Sequence, residues 1–193
     1  MIPRLIIIML ITVAATIQSH AQRSTLYTSD GNLSSCLINY VYQDSKGYVW
    51  IATEYGLNRF DGIHFTTYKN DPEDATSLKG NYVRTMHEDS EGHFRIGCIN
   101  GLMEYDRARE AFHDIPMMTG DDRVTPHVTS IRQLSNGEIW IGTAGYGIFH
   151  YDPDTDTAHW MEKQTRAAGS DFITAIYEDA AHTVWICLLY TSP

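Results

Sequence analysis

Along most of the chain, apolar and polar residues alternate in short stretches, and the alternation returns at a fixed interval. Ile38, Tyr40 and Tyr42, followed by Tyr48 and Trp50, flank a compact polar turn. A period of two is the pattern of a strand with one buried face, so two strands joined as a hairpin are predicted. Val41 to Thr53 reads VYQDSKGYVWIAT, Met86 to Cys98 reads MHEDSEGHFRIGC, Ile131 to Thr143 reads IRQLSNGEIWIGT and Ile176 to Ile186 reads IYEDAAHTVWI, each starting 45 residues after the last. Gly47, Gly92, Gly137 and His182 fall in register, as do Trp50, Arg95, Trp140 and Trp185. Self-similarity at such a period marks a repeat architecture.

The turn chemistry supports the hairpin. In Asp44-Ser-Lys-Gly47 and Asp89-Ser-Glu-Gly92 the Asp can accept backbone N–H bonds at the first position, and the Gly supplies a positive φ at the last. Asn136-Gly137 serves the third copy, whereas Asp179-Ala-Ala-His182 must force a histidine into that conformation or use another turn, which makes the fourth turn the weakest expected. A second block follows each core, Gly56-Leu57 to Phe60-Asp61, Gly101-Leu102 to Tyr105-Asp106 and Gly147-Ile148 to Tyr151-Asp152, the third with one extra residue in a turn. These blocks predict a third strand, and His64 to Tyr68 and Ala111 to Ile115 predict a fourth. The polar stretches Lys69 to Lys79 and Met117 to Pro126 read as loops between repeats.

Four short strands in about 45 residues make one propeller blade. The predicted fold is therefore all-β, a β-propeller fragment with three complete four-stranded blades (about 36–80, 81–125 and 126–170) and a truncated fourth (171–186). No helix longer than a turn or two is expected. Blades have two apolar faces that only neighbours can cover, and closure takes ~4–8 of them. Such a fragment should leave a sheet face open and be prone to aggregate.

The two ends read differently from the body. Arg4, the apolar run Leu5 to Ile17 and the small residues Ser19 and Ala21 form a signal peptide over residues 1–21, the run being short for a span of ~20 residues; an uncleaved anchor is the competing reading. Either way the body is exported, to the periplasm. Cys187-Leu-Leu-Tyr-Thr-Ser-Pro193 breaks the repeat inside a strand and resembles translated sequencing adapter, a non-native tail over 187–193. The net charge of -10 repels phosphate backbones, so nucleic acid is excluded as a partner of this segment. Cys36, Cys98 and Cys187 occupy unrelated points of the repeat and form no disulfide framework. Cys98 stands where neighbouring copies place Thr53 and Thr143, as a small strand residue.

Candidate chemistry is sparse. Asp44, Asp89 and Asp179 recur at the same turn, as a structural residue does, and Trp50, Trp140 and Trp185 read as packing between blades, although exposed Trp and Tyr elsewhere can stack on sugar rings. Among the nine histidines, His87 and His93 flank one hairpin without a third ligand at a telling spacing. Asp71 to Asp74 reads as a solvated loop. Tyr151-Asp152-Pro to Trp160 is faintly similar to quinone-binding propeller repeats, in a single copy. No catalytic, cofactor-binding or metal residue is assigned, no cofactor is implied, and the ligand contacts stay unassigned.

The segment Leu33 to Asp61, with LSS and then VYQDSKGYVWIATEYGLNRFDG, resembles the two-component regulator propeller repeat, whose pattern recurs over roughly residues 33 to 186. Arg95 in place of Trp, Leu134 in place of Asp and His182 in place of Gly are the local departures. The resemblance implies an exported sensor region of a Gram-negative bacterium, followed by a small β-sandwich, a membrane span and a cytoplasmic histidine kinase. It further implies an oligosaccharide ligand, a homodimeric full-length parent anchored in the inner membrane, and no enzyme activity in the residues present. Two rivals stand beside it: a carbohydrate-active propeller and a protein-binding scaffold without a kinase. Sialidase-type repeats place Ser two before the Asp and Gly two after it; here Tyr42 precedes Asp44 by two and Gly47 lies three beyond.

Overall fold

The computed structural model describes residues 26–28 and 33–189. The signal-peptide segment 1–21 and the last four residues of the tail lie outside the described residues. The repeat unit folds as its alternation requires. β1 (Ile38–Gln43), β2 (Val49–Thr53), β3 (Gly56–Phe60) and β4 (Phe65–Tyr68) form an antiparallel sheet in sequence order, and β5 (Val83–Glu88), β6 (Phe94–Cys98), β7 (Gly101–Asp106) and β8 (Ala111–Ile115) form the next.

The third sheet departs from the expectation of four strands. Met117 to Pro126, which reads as a loop, instead forms the hairpin β9 (Met117–Thr119) and β10 (Asp122–Val124), added to the outer edge of β11 (His127–Gln133), β12 (Ile139–Ala144), β13 (Ile148–Asp152) and β14 (Thr157–Trp160). The turn residues misled because they mark the tip of this hairpin: Gly120 adopts φ +63° there. Met117 is buried and pairs in parallel with Ala158 of β14, so the hairpin gains a core contact as well as a ladder. The two-turn helix α1 (Glu162–Ala168) leads to β15 (Ile173–Glu178) and β16 (Val184–Leu188), the half-sheet of the fourth copy. Cys187 and Leu188, the first tail residues, complete β16 against Ala175 and Ile173. Among the described residues no helix is long and apolar enough to cross a membrane.

The core lies between sheets. Trp50, Ala52 and Leu57 of the first blade pack on Val83, Phe94 and Ile96 of the second. Leu102 and Ile115 of the second meet Val128, Ile131 and Ile141 of the third, and Ile148 of the third meets Ile173 and Ile176 of the fourth. The glycine two places after the Trp position of the repeat is a packing residue: a Cβ on Gly97 would stand 2.5 Å from Val128 Cγ1, and one on Gly142 2.7 Å from Ile173 Cγ2. The first-hairpin turn is uniform. Gly47, Gly92 and Gly137 sit at φ +89°, +92° and +91°, and His182 is forced into the same region at +62°, its N–H still donating to Asp179 O at 3.0 Å. For a residue with a Cβ that conformation costs roughly 1–2 kcal/mol. The extra residue of the third copy falls in the turn after β12, where Gly145 takes φ +97°.

Candidate functional site

The turn aspartates bind far more than their own turns. Asp44 Oδ1 accepts from the Lys46 and Tyr48 N–H groups at 3.0 and 2.9 Å, while Oδ2 accepts from the Trp50 indole at 2.8 Å and from Arg107 Nη1 of the second blade at 2.7 Å. Arg107 Nη2 also donates to Glu88 at 2.9 Å. Burial raises the Asp44 pKa, but the hydrogen bonds from Arg107 and Trp50 outweigh it and hold the carboxyl below its ordinary value. Asp179 repeats the pattern with Ala181, Thr183 and the Trp185 indole. The structural expectation for these residues is met; the link from carboxylate to indole is additional.

Where the sequence departs from the repeat, a guanidinium changes place. In the second blade Arg95 occupies the Trp position, donates to Asp89 Oδ2 at 2.5 Å, and lies 4.1 Å over the Tyr151 ring. Arg107 has Pro153 as its counterpart one blade later. Each of the two buried turn aspartates thus keeps one arginine, from the next blade at the first junction and from within the blade at the second. The exchange empties space: with neither an indole nor an Arg107 equivalent, the second junction holds a cavity of about 560 Å³ lined by Asp89, Glu91, Arg95, Glu138, His150 and Pro153 among others. His93 borders it, its imidazole held above the ordinary value first by the hydrogen bond to Glu104 at 2.8 Å.

A second set of contacts joins the blades at the same end. Ser45 donates its N–H and Oγ to the carboxylate of Glu88 at 2.6 and 2.7 Å, and Ser135 does the same to Glu178 at 2.7 and 2.7 Å. Ser90 uses Gln133, whose Oε1 accepts its N–H at 2.9 Å. The residue after each turn Asp position is thus clasped by the residue just before the turn of the next blade. This was missed in the sequence, although Ser45, Ser90 and Ser135 recur at 45-residue spacing.

The remaining candidates separate. His87 is half-buried, and its Nε2 accepts the Gln133 N–H at 3.3 Å, a bond that its lowered pKa favours, burial being the first cause. Cys36, Cys98 and Cys187 are unpaired; Cys98 is enclosed, and burial pushes its thiol up to about 12. Asp71 and Asp74 cap turns in their loop, accepting from Glu73 and Thr76. Tyr151 donates to Asp156 at 2.9 Å within its own turn. Among the described residues no group of three His, Cys, Asp or Glu stands close enough to hold a metal ion.

Comparison with known proteins agrees with this architecture. Residues 32–55 and 124–145 match the two-component regulator propeller. A stretch of 49 residues is 47% identical to histidine kinase P4 of Formosa agariphila, over 25% of this chain and 4% of that protein. The extracellular domain of the putative one component system BT4673 from B. thetaiotaomicron superposes on 84% of the chain with a TM-score of 0.68 at 25% identity, and the chain spans 23% of it. The same domain, described as that of a putative hybrid two component system, gives 0.69 at 24%. Virginiamycin B lyase from Staphylococcus aureus shares the fold alone, with a TM-score of 0.53 at 16% identity over 86% of this chain and 52% of the lyase. Two stretches of the chain thus match propeller repeats of the two-component regulator type, and the chain covers under a quarter of the length of the extracellular domain it resembles.

Proposed function

We propose that this chain forms part of the extracytoplasmic sensor region of a two-component signalling protein and contributes part of an oligosaccharide-binding surface, without catalysis of its own. The observation that carries the proposal is the superposition on an extracellular domain of such a system at 25% identity, in a chain whose repeats match the two-component regulator propeller. The match to a histidine kinase over 49 residues supports a kinase parent. In this reading the chain is exported to the periplasm, its parent is anchored in the inner membrane as a homodimer, and a kinase domain follows the propeller in the gene. A ligand can drive such a receptor only by binding one ectodomain arrangement better than another.

Reading the gene through codon 187 tests the proposal. Further 45-residue repeats, a membrane span and kinase motifs are the expected continuation. A gene that closes its propeller and stops would replace the sensor with a scaffold or a secreted carbohydrate-active protein.

A further inference from the structure

All four inner strands share one irregularity. The register of β1 against β2 slips between Ile38 and Tyr40, and the same slip falls between Val83 and Thr85, Val128 and Ser130, and Ile173 and Ala175. Asn39, Arg84, Thr129 and Thr174 occupy these bulges. A bulge takes its residue out of the ladder and re-aims its side chain. Two of the four spend that freedom on a neighbour: Asn39 Nδ2 donates to Val83 O at 2.8 Å, and Thr129 Oγ1 donates to Ile173 O at 2.6 Å, in each case across to the next blade.

Arg84 does not. Among the described residues its guanidinium has neither an ion pair nor a hydrogen-bond partner, and the side chain is exposed. It lines a cavity of about 240 Å³ at the end of the sheets opposite the turn aspartates, together with Tyr82, His127, Thr129, Phe172 and Thr174. These residues come from two register positions of three successive blades. Tyr82 meets His127 edge to face at 5.5 Å, and Phe172 is 43% exposed. Burial, and after it the Arg84 charge, holds the His127 imidazole below its ordinary value, so it is neutral at pH 7. Arg84 is then the one charge in the lining. Histidines aside, the other four cavities described each carry at least as many carboxylates as Lys and Arg side chains, and the protein as a whole carries -10.

We propose that this cavity binds a small carboxylate carried on a ring. The carboxylate pairs with the Arg84 fork, the apolar face of the ring lies against Tyr82 or Phe172, and Thr174 meets a polar substituent. An unpaired guanidinium among aromatic rings and hydroxyls, with no acid beside it, selects an anion over a neutral or cationic ligand. Where the ring is a sugar, the inference rests on the sensor reading and makes the recognised unit a uronic acid.

The test is calorimetric titration of the 193-residue chain with glucuronate, galacturonate and benzoate, with glucose and galactose as neutral matches. Saturable binding of a carboxylate, at least about tenfold tighter than that of the neutral sugars, is expected, and Arg84→Gln should weaken it by about tenfold or more. Arg84→Lys, which keeps the charge and loses the fork, should fall between. Glu73→Gln, in the exposed loop between the first and second blades, should change nothing. Equal binding of neutral sugars, no carboxylate binding, or an unaffected Arg84→Gln variant would overturn the assignment. Because Arg84 is exposed and unpaired, its variants should melt with the parent chain, which separates lost binding from lost fold. A neutral oligosaccharide that binds regardless of Arg84 sinks this site and leaves the sensor proposal standing; a gene without a kinase sinks that proposal and leaves this measurement valid.

Discussion

The side chain of Asp44 is enclosed and accepts four hydrogen bonds, two from its own turn, one from the Trp50 indole and one from Arg107. Replacing it with alanine would leave the buried indole without its acceptor and the half-buried Arg107 guanidinium with Glu88 alone. Asp44→Ala should therefore cost about 2–3 kcal/mol, read from denaturant unfolding; a loss under about 1 kcal/mol would mean that water replaces the carboxylate. The pH dependence has a definite sign. Asp44 and Asp89 both titrate below the ordinary carboxylate value in the folded chain, because arginine hydrogen bonds outweigh burial. Their contribution is complete above the unfolded value of ~3.9 and is lost as pH falls through the folded values. Melting temperature should thus hold through neutral pH and drop below about pH 4, with a shallower drop in Asp89→Asn. An unchanged acid slope in that variant would remove Asp89 from the account. The sequence showed that these aspartates are structural, since they repeat. It did not show Arg107, whose bond to Asp44 crosses 63 residues and occurs once.

At the scale of elements, period-two alternation located the strands well because each blade strand has one face turned to a neighbour. It failed at β9 and β10, which are three residues each and too short to show a period; they are defined by pairing with each other and, through β9, with β14. The clasps and packing glycines connect elements in different repeats, so their meaning appeared only once the blades were stacked. Gly97 makes the sharper test. An added methyl would meet Val128 and Thr85 side chains at 2.5 and 2.6 Å, in a junction where both neighbours are held. Gly97→Ala should destabilise the chain by roughly 1–3 kcal/mol, measured by urea unfolding, whereas Gly62→Ala, with nothing within 4 Å of its Cβ, should cost only what its φ of +101° demands. Similar losses at the two sites would show that backbone strain, and not blade contact, governs Gly97.

At the scale of the whole molecule, the described residues form a row of sheets with two open faces, and the tryptophan series records the gradient. Trp50 is fully buried beneath the second blade, Trp140 is partly buried beneath the half-sheet of the fourth, and Trp185, which has no sheet after it among the described residues, is 58% exposed with Tyr177 beside it at 55%. At the other face Val41, cross-strand partner of Ile51, is 55% exposed on the side of the first sheet away from Trp50. Tyr27 covers only part of that side, its ring 5.2 Å from Phe60 and 5.1 Å from Phe65. One face of each kind, both shaped to receive a blade, makes head-to-tail stacking of copies the favoured contact, and such a contact need not close. The 193-residue chain should accordingly sediment as larger species as its concentration rises. Placing lysine at both Tyr177 and Trp185 should return it to monomer, and Val41→Lys on the opposite face should do the same, because a heterologous contact needs both surfaces. Association abolished by changes at one face but untouched by changes at the other would mean that identical faces meet, and that the stacking direction of the repeat does not govern how copies of the chain associate.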